Sequence, residues 1–205
     1  RAMLVSTRFG DTAQLHLVAA PGAARRQISF EAGPVLGASF SKGKGDVLLA
    51  SQDVGGAENF QFFRVKDGRF ELLTDGKSRN GGAAWAQDGS LVLFASNARN
   101  GRDSDIWVMD PRDPSSRRMV TERQGGGWSV ADVFPDGRTA ILQRYASIQK
   151  SELYRLDIRT GDVTPITRDT GEVSYGDVQI APDGRIFATS DRFGEFRDIG
   201  TIDPA

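Results

Sequence analysis

Several things are missing from these 205 residues, and each absence removes a class of protein. There is no cysteine, which excludes disulfides and thiolate metal sites without excluding an oxidising compartment. There is one histidine, His16, so no site can be built from paired imidazoles. Charge of one sign is missing too. The 26 basic and 27 acidic side chains are spread along the chain, and no basic block is available to neutralise phosphates, so nucleic acid is not an expected partner. The longest apolar runs, such as "VLLA" and "LVLFA", are far too short to span a bilayer. No segment of ten or more residues carries a convincing helical period.

What the chain does have is a period. Ala84-Trp85-Ala86-Gln87-Asp88-Gly89 aligns with 132–137 ("DVFPDG") and with 179–184 ("QIAPDG"). The glycines are 48 and 47 residues apart, and an eroded copy ends at Gly43, 46 residues before Gly89. Ser29, Thr74, Thr121 and Thr167 each end a short apolar strand and step by 45, 47 and 46 residues. Asp110, Asp157 and Asp203 form a third marker. Within each unit, apolar and polar residues alternate over short runs separated by Asp-Gly or Thr-Gly pairs, the pattern of tight antiparallel hairpins.

Four short strands in a unit of about 46 residues is the sequence form of a β-propeller blade. The expected fold is all-β: a β-propeller forming an incomplete ring of about four and a half four-stranded blades. The expected divisions are a partial blade at 1–30, blades at 31–75, 76–122 and 123–168, and a partial blade at 169–205. A blade cannot bury both faces alone, so Phe40, Trp85, Phe134 and Ile180 are read as equivalent residues packing between blades. An unclosed ring would expose sheet faces and strand edges, so the residues are expected to belong to a larger propeller.

Three candidate sites deserve weighing. Ser129, in "GGWSVAD", sits in a setting like the turn that presents a hydrolase nucleophile. That turn needs a helix after the serine. Here a strand and a Pro-Asp-Gly turn follow, Ser174 repeats the position one unit later, and His16 is too isolated to serve as the base. No catalytic residue is therefore assigned, and His16 is read as a partly exposed strand residue. The segment 97–105, "NARNGRDSD", collects oxygen ligands, but its aspartates follow the glycine and no glutamate closes the loop. It is read as a polar hairpin loop whose aspartates cap backbone amides, and no metal or other cofactor is assigned. The loops between second and third strands, at 52–59, 97–105, 144–151 and 191–197, leave the propeller on one face. Their charged and aromatic side chains suit a peptide terminus or a partner domain.

The segments "STRFGDTAQLHLVAAPGAARRQISF", "DVGGAENFQFFRV", "SNARNGRDSDIWVMDP" and "GGWSVADVFPDGR" closely resemble bacterial prolyl-oligopeptidase-family serine peptidases of the acylaminoacyl-peptidase and dipeptidyl-peptidase type. The resemblance implies a non-catalytic N-terminal propeller that gates oligopeptides and docks on an α/β-hydrolase domain of the same polypeptide, which carries the serine, aspartate and histidine. It also implies a bacterial cytoplasmic or periplasmic home. Some members of the dipeptidyl-peptidase branch use propeller glutamates to bind a free amino terminus. Glu58 and Glu195 occupy suitable loops without matching that motif residue by residue; with Arg102 and Arg192 they form the candidate substrate-binding set. The alternatives are a stand-alone protein-binding propeller of the Tol-system scaffold type and, more remotely, a calcium-dependent propeller lactonase.

Overall fold

A computed structural model describes residues 2–53, 55–169 and 171–203. Their secondary structure is eighteen strands and a single 3-10 turn at Asp191–Phe193. The first sheet holds β1 (Met3–Arg8), β2 (Ala13–Val18) and β3 (Arg25–Gln27). The second holds β4 (Val35–Phe40), β5 (Leu48–Asp53), β6 (Phe60–Lys66) and β7 (Arg69–Leu72). The third holds β8 (Asn80–Trp85), β9 (Val92–Ser96), β10 (Asp105–Asp110) and β11 (Asp113–Thr121). The fourth holds β12 (Trp128–Val133), β13 (Thr139–Ser147), β14 (Lys150–Asp157) and β15 (Val163–Pro165), and the fifth β16 (Tyr175–Ile180), β17 (Ile186–Ser190) and β18 (Asp198–Ile202). Every sheet is an antiparallel meander in chain order.

The repeated sequence markers are repeated hydrogen bonds. In the turns at Gly89, Gly137 and Gly184, the glycine amide donates to the carbonyl three residues back, and the glycines take φ of +69°, +65° and +86°. The preceding aspartate accepts the amide two residues on, at 2.9, 2.8 and 3.1 Å for Asp88, Asp136 and Asp183. The hydroxyl marker works differently. Ser29, Thr74 and Thr167 accept the amides of Leu15, Phe62 and Leu153 at 2.8, 3.1 and 3.0 Å, holding the last strand of a sheet to the one before it. The same bonds place β2 in register with β6 and β14, so β1 takes the place of β5.

Four apolar cores lie between consecutive sheets rather than within them. Leu15 meets Val35 and Ala50; Leu49 and Phe62 meet Trp85 and Phe94. Leu93 and Ile106 meet Val130 and Leu142; Ile141 and Leu153 meet Val178 and Ile186. This is why central strands such as β9 are buried on both faces and read as continuous apolar runs.

Two expectations need correction here. The amide of the residue just before each turn bonds back across it in Ser41, Ala86, Phe134 and Ala181. Phe134 is therefore one position out of step with Phe40, Trp85 and Ile180, and Val133 is their true counterpart. Successive strand residues face opposite ways, so Phe134 packs toward the fifth sheet while Val133 packs toward the third. Phe40 is not a packing residue on the scale of the others: it is 38% exposed, because in the first sheet no described strand stands opposite the end of β4. His16 is the second correction. It is fully buried, not partly exposed, since β2 is the middle strand and the Phe9 ring covers it edge-on at 5.0 Å. Arg25 stacks on the outside of that ring, 3.6 Å from its centroid.

The innermost strands β8, β12 and β16 lie side by side. On the end with the β4–β5 turn, Lys42 reaches Asp132 at 3.0 Å, while the other oxygen of Asp132 accepts the Ile180 amide at 2.9 Å. One carboxylate thus ties the second, fourth and fifth sheets together. The opposite end, where second-to-third strand loops and sheet-to-sheet connections emerge, is left for function.

Candidate functional site: a cationic cleft between the third and fourth sheets

The loop 97–105 between β9 and β10 is built by its own polar side chains. Asn97 accepts the Arg79 amide at 2.8 Å and donates to the Gly101 carbonyl at 2.9 Å. Asn100 accepts the amides of Arg102 and Asp103 at 3.0 and 2.9 Å. The aspartates cap amides of the next connection, not of their own loop. Asp103 accepts the Gly125 amide at 3.0 Å, and Asp105 accepts the Arg123 amide at 2.8 Å. Both are buried. The loop is thereby fastened across the boundary between two sheets.

Charge follows from this fastening. Arg99 grips Asp105 with two parallel bonds, 2.8 Å from Nε and 3.0 Å from Nη2, and also reaches Asp103 at 3.3 Å. The Asp105 bond, and then the nearby carboxylates, raise the guanidinium above its ordinary value. Arg102, Asn100 and the Gly125 amide hold the Asp103 carboxyl well below the ordinary carboxylate range. Both aspartates are consumed by these contacts. Their charge faces inward.

Two cavities flank the loop. One, of about 590 Å³, is bordered by Arg99, Arg102, Glu122 and Arg123. The other, of about 550 Å³, is walled by Arg79, Asn97, Arg102, Gly127, Trp128 and Ser129, and no acidic side chain is in its lining. Both volumes fall in the range of small-ligand sites. Trp128 packs on Tyr154, bonds the Gln124 carbonyl through its indole nitrogen at 3.3 Å, and lies beneath Arg123 and Arg144. Gly127 has φ of +80°, and a Cβ there would sit 2.3 Å from the Tyr145 carbonyl oxygen, so only glycine lets the wall close. Ser129 lines the cleft with no base beside it; the lone histidine is in the first sheet. It is a wall hydroxyl.

Of the four residues expected to bind substrate, the cleft takes one, Arg102. Glu58 is exposed on the β5–β6 turn with φ of +57°. Glu195 is exposed in the β17–β18 connection. Arg192 is drawn to Tyr175 at 3.3 Å and Asp169 at 3.5 Å in the fifth sheet, and these contacts raise it further above its ordinary value. Burial first, and then the bond to Asp169, push the Tyr175 phenol up to about 12. None of these three borders the cleft. Reading the sequence missed Arg79, Arg99 and Trp128. A usable signal existed for Arg99: the residue just before Leu15, Phe62 and Leu153, whose amides the hydroxyl marker holds, is Gln14, Gln61 and Glu152, but before Ile106, opposite Thr121, it is the shorter Asp105.

No family model matches the chain. Among solved structures it superposes on TolB from Acinetobacter baumannii with a TM-score of 0.67 at 18% identity, over 94% of this chain and 49% of that one. A prolyl endopeptidase gives 0.69 at 14% identity, over 94% and 32%. An oligogalacturonate lyase from Vibrio parahaemolyticus gives 0.74 at 12% identity, over 99% and 59%, a protein class that sequence reading did not weigh. The chain spans about half the length of the first of these, and less or somewhat more of the others. At such identities the likeness is one of fold, and what it establishes is that these five sheets are blades of a β-propeller.

Proposed function

We propose that the chain is the non-catalytic propeller of a serine peptidase, docking oligopeptides and guiding them to an α/β-hydrolase domain of the same polypeptide. The observation that carries the reading is the cleft of about 550 Å³ on the loop face, lined by Arg79 and Arg102 with no acidic side chain. Its glycine-lined wall suits a peptide backbone, which needs main-chain partners more than shaped pockets. The motif resemblance to prolyl-oligopeptidase-family enzymes and the fold likeness to a prolyl endopeptidase support the same reading. Among the described residues no serine sits with a histidine and a carboxylate, so the chemistry is assigned outside them.

The test is to treat the whole gene product with a fluorophosphonate probe and to assay it on short peptide substrates. Labelling of a serine outside 1–205, together with hydrolysis, is expected. A second reading, a stand-alone protein-binding propeller, is favoured by the TolB likeness. An unlabelled, inactive protein that retains a protein partner would replace the first reading with that one.

A further inference from the structure

The geometry points to a specific occupant for the cleft between the third and fourth sheets: the C-terminal carboxylate of a short peptide, held between Arg79 and Arg102. This rests on the peptide-docking reading above and adds to it which end of the peptide is bound.

The two arginines differ in what they already hold. Arg102 already holds Asp103 through Nε and Nη2, at 3.1 and 3.4 Å, and with its side chain 83% exposed its remaining Nη donors face solvent. Arg79 has its backbone fixed by Asn97 on both sides, while its guanidinium has no carboxylate within salt-bridge distance among the described residues. One is an oriented cation and the other an unpaired one. One guanidinium without a carboxylate partner and the remaining donors of another, both in the lining of a pocket without acidic walls, suit a carboxylate better than an ammonium group. Asp103 offsets the charge of Arg102, and Asp105 that of Arg99, so Arg79 is the uncompensated cation of the lining among the described residues.

The rest of the wall suits a main chain. The β8–β9 ladder is interrupted between Gly81 and Ala84, and Gly82 takes φ of +61°. A bulge of this kind withdraws backbone groups from the ladder and turns them toward a neighbour. Gly82 faces β12: a Cβ on it would lie 3.2 Å from that of Ser129. Ser129 contributes a hydroxyl that has no partner among the described residues. A carboxylate at the arginines and a backbone along Gly82 and Ser129 use these parts of the lining.

The experiment is isothermal titration of the full-length protein, its serine blocked with a fluorophosphonate, using three probes. These are N-acetyl-trialanine as the free acid, the same peptide as its C-terminal amide, and trigalacturonate. The free acid is expected to bind at least tenfold more tightly than the amide in low salt. Arg79→Gln should weaken the acid at least tenfold and leave the amide unchanged, and Arg79→Lys should restore only part of the loss. Unchanged thermal melting would show that these variants fold. Equal binding of acid and amide, insensitive to Arg79→Gln, overturns the carboxylate assignment and leaves peptide docking standing. Saturable binding of trigalacturonate alone, lost in Arg79→Gln, keeps an anion site but overturns a peptide occupant. No binding of any probe overturns both.

Discussion

The second and third sheets solve one structural problem with different chemistry. At the start of the third strand, each must fasten the connection that leads to the next sheet. Gln61 does it with a neutral amide. Its nitrogen donates to the carbonyls of Asn59 and Ser78 at 3.0 and 2.6 Å, and its oxygen accepts from the Thr74 hydroxyl and Gly76 amide at 2.7 and 2.9 Å. Gln14 repeats this in the first sheet, bonding the Glu31 carbonyl and amide at 2.8 and 3.0 Å. Asp105 has no donor to give. It recruits Arg99, whose guanidinium supplies the donors and also bonds Asp103. A neutral clamp closes on itself, whereas an ionic one brings a charged loop with it. The cleft lies where the repeat changes from the first solution to the second.

That contrast can be broken at either end. The largest effect is expected from Gln61→Ala, which removes a fully buried side chain and leaves the Asn59 carbonyl, the Thr74 hydroxyl proton and the Gly76 amide without the partner they have now. A loss of about 4 kcal/mol, read from urea unfolding, follows from those unmet groups and the void. Asp105→Ala should be milder, at about 3 kcal/mol, because the stranded Arg99 side chain is 28% exposed and can turn to water. Reversal of that order in the unfolding midpoints would show the ionic clamp to be the stronger.

Gln61→Glu sharpens the comparison through pH. The new carboxyl would be buried without a cation among the groups that bond Gln61, so its pKa in the folded protein should rise above the ordinary value of about 4.3. A raised carboxyl favours folding below its unfolded pKa and loses that favour as pH rises. The variant should therefore unfold more easily at pH 7 than at pH 4, by about 2 kcal/mol relative to the parent protein. Asp103 predicts the opposite slope. Its depressed carboxyl contributes stability that is fully present above about pH 3.9 and is lost as pH falls toward its folded value. The Gly125 amide resonance, which reports the bond to Asp103, should stay fixed from pH 7 to 5 and shift only in stronger acid. The smallest effect belongs to the rim: Arg79→Gln should change stability by less than about 0.5 kcal/mol, whatever it does to binding.

Much of the fold was legible because its signals are local. An Asp-Gly pair specifies a tight turn through its own φ and its own side-chain bond, wherever the chain places it. Three such turns at one spacing announce the repeat. What failed was anything depending on a neighbour. Phe134 and Val133 are adjacent apolar residues before the same turn, and only the pairing across it decides which faces which sheet. His16 looks like a strand residue with water nearby until Phe9, seven residues earlier, folds over it. The candidate binding residues shared a position in the repeat, but the cleft selects by boundary. It takes Arg102 beside the unforeseen Arg79 and Trp128, while Arg192 is occupied within its own sheet.

The sequence by itself determined that this protein is a series of β-sheet units about 46 residues long, because turn chemistry and strand alternation act within a few residues of chain. Tertiary structure alone decided where those units are polar, open and charged between them. A cleft is a property of two surfaces that meet, and its walls come from 79, 102 and 128, residues brought together only when the third sheet stacks on the fourth.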